Sequence, residues 1–284
     1  KLAMPFVDEC YQDTLGNLIA HKKGSGSRVM FAAHMDSIGC IVTYIEKEGY
    51  VRFCKVGGLH ATDLIATPVR FKNGVRGVIC LSEAVDPKDM TLDDLYIDIG
   101  AHDADEAKAM IKIGDTAVYD TPTYAVGDRI VSPYMDNRIS CMVLLMAMET
   151  LQNSENDLYF VFTSQEEVGL RGAKTAAYSI DPDYGIAVDV TVSADELGTK
   201  HAGSSKLGSG AAIKVMDTSV ICHPQMVSKL ETLAKERGID AQMDIIKAGG
   251  TDAGSIHISK MGVLTGGISI PCRYIHSPQE MVDR

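Results

Sequence analysis

The 284 residues carry 45% hydrophobic and 23% charged side chains, the balance of a folded globular chain long enough for two domains. The net charge is −11, which argues against nucleic acid or an anionic membrane as the main partner. Seven cysteines, scattered and without a C-x-x-C pair, fit a reducing cytoplasm better than a disulfide framework or a thiolate zinc site. No membrane span and no signal peptide is legible.

In chain order, the apolar run "RVMFAA" (28–33) predicts a buried strand that ends at His34. From about Cys40 to Ala125 the pattern changes to short alternating stretches such as "YVRFCKV" and "GVIC", separated by turn signals such as "KNG". This region reads as a β-rich insert with one helix, "DADEAKAMIKIG", whose Asp103 and Glu106 have capping-box spacing. A helix is expected from about Asn137 to Leu151, a strand over "LYFVF" (158–162), and a helix over "RGAKTAAY" (171–178). A further strand falls on "YGIAVDV" (184–190), an amphipathic helix on "HPQMVSKLETLAKERGI" (223–239), and another strand on "GVLTGGISI" (262–270). The expected fold is α/β: a mixed, mostly parallel sheet flanked by helices, in residues 1–39 and 127–284, interrupted by the insert at 40–126. The Gly-rich "KAGGTDAGS" lacks the frame of a phosphate loop.

Parallel α/β sheets bind ligands at the carboxyl ends of their strands. The polar residues at those ends are His34 and Asp36, the pair Glu166 and Glu167, Asp189 and His276, with Asp136 just before the long helix. Each has a plain structural alternative: a core histidine, a turn acid, an N-cap at Asp136, a solvated Glu167. Asp189 is the hardest to dismiss, because an acid inside an apolar strand needs a partner. Together, two imidazoles and several carboxylates without cysteine suit zinc, cobalt or manganese, and a carboxylate can bridge two such ions.

The stretches "AHMDSIG", "YMDNR", "TSQEEVGLRGA", "AVDVT", "AGGTDAGS" and "RYIHSP" resemble, in order and approximate spacing, the co-catalytic metallo-aminopeptidases of the tetrahedral aminopeptidase and glutamyl aminopeptidase family. The resemblance implies two divalent metals per subunit. His34 and Asp189 would hold the first, Glu167 and His276 the second, and Asp136 would bridge them. Asp36 would accept from the second nitrogen of His34, and Glu166 would be the general base. It also implies peptide substrates and a PDZ-like insert through which subunits dimerise and build a tetrahedral dodecamer. Alternatives are a related di-metal deacylase or carboxypeptidase, a non-catalytic assembly protein with vestigial metals, and a glycosidase, a label some relatives carry. The last needs two carboxyls about 5–9.5 Å apart across a bond, for which adjacent Glu166 and Glu167 make a poor pair.

Overall fold

A computed structural model of the chain describes residues 1–151, 153–199 and 204–284. Two short strands that the hydrophobic pattern does not announce come first, β1 (Glu9–Gln12) and β2 (Leu18–Lys22). They form an antiparallel hairpin. Its turn is tied by Asp13 Oδ1, which accepts from the main-chain N–H groups of Leu15, Gly16 and Asn17. Strand β3 (Arg28–His34) follows, one residue longer than the run 28–33.

Next come β4 (Gly39–Ile45), β5 (Val51–Val56), β6 (Pro68–Phe71), β7 (Arg76–Leu81) and β8 (Leu95–Asp98), then helix α1 (Ala104–Met110) and β9 (Thr116–Tyr119). These six strands close into a barrel in the order β4-β5-β8-β7-β6-β9. Inward residues such as Val42, Val51, Phe71, Ile79 and Ile97 fill it, as the alternating pattern requires. Asp103 caps α1 by accepting from Asp105 N and Glu106 N. The carboxylate of Glu106 turns to the N–H of His102 instead of Asp103, so only half of the expected capping box forms. A hairpin of β10 (Tyr124–Val126) and β11 (Arg129–Ser132) completes this stretch.

Helix α2 (Met135–Thr150), β12 (Asp157–Thr163), α3 (Arg171–Ile180) and β13 (Tyr184–Val192) follow, then β14 (Ala211–Met216), α4 (Pro224–Arg237), β15 (Ala241–Ile245), a one-turn α5 (Ala253–Ile256), β16 (Leu264–Arg273) and β17 (Glu280–Asp283). Strands β12, β3, β13 and β16 lie side by side and parallel. Antiparallel pairings extend them, β2 on one flank and β14 on the other, with β15 parallel to β14. The result is the mixed sheet expected, less parallel than foreseen: its four central strands are parallel, and antiparallel pairings flank them. One face packs Leu158, Phe160 and Phe162 against Leu144 and Met148 of α2. The other packs Met30, Ala32 and Val161 against Ala173, Ala176 and Ala177 of α3. The alternation of β12 thus fills both faces of a buried strand.

Contacts divide the chain into two units: Lys1–Asp36, Met135–Ile275 and Val282–Arg284 form one, Ser37–Tyr134 and His276–Met281 the other. The second unit is wider than the 40–126 expected for the insert. It takes in the β10–β11 hairpin, whose polar turn reads as a connection in the sequence, and it includes a six-residue segment from near the other end of the chain.

Candidate metal centre

The parallel register decides which side chains meet. Thr163 stands opposite His34, and Ala187 stands opposite Ala32, so two residues further on Asp189 is level with His34. His34 is 2% exposed. Its Nε2 lies 2.9 Å from Asp136 Oδ1, 3.6 Å from Asp189 Oδ1 and 3.8 Å from Glu166 Oε2. One imidazole therefore faces three buried carboxylates.

Asp136 reaches this position because α2 does not begin as a helix. Asp136 (φ −78°, ψ 100°) and Asn137 (φ −125°, ψ 33°) have non-helical torsions and are joined by a cis peptide bond. Asp136 is not an N-cap, since its carboxylate turns to His34. Asn137 Nδ2 donates to the carbonyl of Val188, fixing the irregular turn to β13.

Asp36 acts differently from the expectation. His34 Nδ1 donates to the main-chain carbonyl of Asp36 at 3.2 Å, whereas the Asp36 carboxylate is 3.7 Å away. That carboxylate accepts from the N–H groups of Glu166 (3.0 Å) and Glu167 (3.2 Å). Two main-chain donors offer a carboxylate stronger, charge-assisted bonds than one shared ring nitrogen. The tautomer of His34 is still fixed, by a carbonyl, and Nε2 remains the nitrogen presented to the carboxylates.

The loop carrying Glu166 and Glu167 is held by side chains from other elements. Asn17, fully buried, accepts from Ser164 N at 2.9 Å and donates to the carbonyl of Gly172 at 3.0 Å, spanning both ends of the loop. Thr163 Oγ1 donates to Asp252 Oδ2 at 2.5 Å, and Ser255 Oγ donates to the carbonyl of Leu170 at 2.9 Å. The sequence reading missed Asn17, Thr163, Asp252 and Ser255 as site supports. The "AGGTDAGS" stretch was the available signal for the last two.

Electrostatically the cluster is short of positive charge. Burial raises the proton affinity of Glu166 well above the usual carboxylate range; His34 opposes this, and the charges of Asp189, Asp252 and Asp136 add to it. Burial also raises Asp189, and it pushes Asp252 up to about 7. Burial alone would lower the pKa of His34, but the hydrogen bonds and charges of Asp136 and Asp189 outweigh it and raise it well above the usual histidine value. A divalent cation would supply the missing charge. The donor set fits one: ligand atoms of His34, Asp136 and Asp189 lie within 4.8 Å of one another, as do those of Asp136 and Glu167.

His276 belongs to the second unit. It has left-handed torsions (φ 68°), its N–H donates to Glu280 Oε1 at 2.8 Å, and its carbonyl accepts from the Tyr119 hydroxyl at 3.3 Å.

A histidine and several acids gathered at the ends of parallel strands have the make-up of a hydrolytic metal centre. The chain belongs to the M42 glutamyl aminopeptidase family, which it matches over residues 16–284, and it is accordingly an aminopeptidase, a peptide hydrolase. It is 38% identical over 290 residues to the lysyl aminopeptidase of Pyrococcus furiosus, covering 98% of this chain and 83% of that one. Among solved structures it resembles the aminopeptidase APDkam598 of Desulfurococcus kamchatkensis (TM-score 0.95, 41% identity, 99% and 82% of the two chains). It also resembles the TET1 peptidase of Pyrococcus horikoshii, which can assemble into a tetrahedron or a large octahedral shell (TM-score 0.86, 34% identity, 99% and 86%). A Thermotoga maritima structure described as an endoglucanase is similar too (TM-score 0.82, 32% identity, 99% and 84%).

Proposed function

We propose that the chain removes the N-terminal residue of peptides with two divalent metals and Glu166 as general base. The observation that carries this reading is the position of Asp136, whose carboxylate lies beside His34 and also within 4.8 Å of a Glu167 donor atom. A side chain in reach of two donor sets is suited to bridging. His34 and Asp189 would hold one ion, Glu167 and His276 the other. Zinc, cobalt or manganese bound there supplies Lewis-acid polarisation of the scissile carbonyl and activation of water.

Glu166 is buried beside this cluster without being needed as a ligand, and its raised proton affinity suits a proton carrier. It takes the proton of the attacking water and returns it to the leaving amine. Asp36 accepts from the main-chain N–H groups of both Glu166 and Glu167 and so fixes the backbone from which the two side chains leave. We assign the barrel unit to self-association, in a dimer that builds toward a dodecamer. The cytoplasm is the proposed setting, consistent with seven unbridged cysteines.

The test is a panel of aminoacyl-p-nitroanilides on protein loaded with zinc, cobalt or manganese, with a glucan and an N-acylated substrate as controls. Cleavage confined to free N-termini and abolished by a chelator is the expected result; glucan hydrolysis or deacylation in its place would refute it. Glu166→Gln is expected to keep its metal content and lose at least about 10²-fold in kcat. A Gln variant that turned over normally, or that had shed its metals, would remove Glu166 from the base role.

A further inference from the structure

We infer that Asp252 is a positioning residue for the reaction, holding the loop that presents Glu166 and Glu167. The inference rests on the functional reading above but is testable apart from it.

Asp252 lies far from this loop in sequence and contacts it at the entry. Its Oδ2 accepts from Thr163 Oγ1, the last residue of β12. Thr163 stands opposite His34 in the sheet, and its carbonyl accepts from Met35 N at 2.8 Å. A bond to Thr163 therefore fixes the end of β12 and, through the register, the strand end that carries His34. Asp252 also opens α5, three residues before Ser255, whose hydroxyl holds the carbonyl of Leu170 at the loop's exit. One short segment, 252–255, thus pins both ends of the loop, while Asp36 holds its middle.

Asp252 is 1% exposed, and its Oδ1 has no hydrogen-bond partner among the described residues. A buried acid with an orphan oxygen, beside other acids, works against stability. A neutral acceptor would serve the Thr163 bond with less repulsion. Such a residue makes sense where the other half of the carboxylate is useful to a cationic site nearby, and where the bond it makes sets the geometry of reacting groups.

The experiment compares Thr163→Val, Thr163→Ser, Asp252→Ala, Asp252→Asn and the double variant Thr163→Val/Asp252→Ala. Hydrogen exchange over residues 164–172 is read first, in metal-free protein. Thr163→Val and Asp252→Ala are expected to speed exchange there about tenfold, with β13 unchanged. Thr163→Ser and Asp252→Asn keep a donor and an acceptor and are expected to stay near wild type. The double variant is expected to be no worse than either single one, because both remove the same bond. On metal-loaded enzyme the same two damaging variants are expected to lower kcat about tenfold or more and to leave KM nearly unchanged. Unchanged loop exchange in Thr163→Val, or additive losses in the double variant, would overturn the inference. So would loop exchange in metal-free Asp252→Asn as fast as in Asp252→Ala. Should Asp252→Ala fail to fold, the Thr163 pair decides alone. Because exchange is read without metal or substrate, an absence of aminopeptidase activity in the wild type would sink the functional reading and leave this one to be judged on its own.

Discussion

Gly172 stands where no side chain fits. A Cβ there would come within 2.3 Å of both Asn17 Oδ1 and the carbonyl oxygen of Ser164, and 2.7 Å from Ser164 N. Glycine to alanine in a helix ordinarily stabilises by about 0.5–1 kcal/mol. At this first turn of α3 the sign reverses. Gly172→Ala is expected to cost about 2–4 kcal/mol in a urea melt, because the clash is with backbone and with the buried Asn17. A variant as stable as wild type would mean that the loop is not packed this way. A second prediction concerns Asp195, which Arg273 grips with two bonds of 2.9 and 2.7 Å. Those bonds to Arg273 lower the Asp195 carboxyl to about 2 despite partial burial. The native state thus binds fewer protons than the unfolded state between pH about 2 and 4, so the stabilisation is complete above about pH 4 and is lost as pH falls toward 2. Arg273→Met should therefore lose about 1–2 kcal/mol at pH 7, after allowance for exposure, and almost nothing at pH 2. An equal loss at both values would assign the effect to packing.

At the scale of elements, β14 and β15 are stitched by an ion pair that water does not reach. Lys214 and Asp244 are opposite each other in register, 1% and 0% exposed at the side chain, and in direct contact. Thr191 of β13 donates to Asp244 at 3.0 Å. Lys214→Met alone strands a buried carboxylate and is expected to cost about 3–5 kcal/mol, whereas Lys214→Met with Asp244→Leu should recover most of the loss. Thermal or urea unfolding separates the outcomes, and equal stability of the single and double variants would contradict the pairing. The same pair explains why these strands were not legible in the sequence. A lysine in "AAIKVM" and an aspartate in "AQMDI" read as solvent-facing until each is seen to cancel the other. Strands β3, β12, β13 and β16 were legible because they are buried on both faces and hence near-continuously apolar. The polar residues that interrupt or follow those runs, His34, Glu166 and Asp189, could be found for the same reason. Asn17 could not, because it is one polar residue in a loop among many, and Asp252 was marked only by the Gly-rich stretch around it. Asp136 was found for a weaker reason, its place before a helix, and the irregular turn that aims it inward leaves no mark on hydrophobic periodicity.

At the scale of the whole molecule, the proposed donor atoms come together only through tertiary structure. His34 and Asp136 are 102 residues apart, and the barrel strands lie between them in the chain. Asp189 arrives on a third element, and each is placed by a different contact: sheet register, the Asn137 bond to Val188, the pairing of β13 with β3. An ion that needs all three binds the native state and not the unfolded one. Saturating zinc or cobalt is then expected to raise the melting temperature, by about 2.7 kcal/mol in stability at a hundred times Kd, and a chelator to reverse it. A melting temperature indifferent to both would contradict the proposed centre. The wide sequence separation of the donors has a further consequence for synthesis. A nascent chain that has emerged only as far as the barrel holds one donor of the three. On the proposed ligand set, ion capture would be a late event, marking those molecules whose sheet has closed in the correct register.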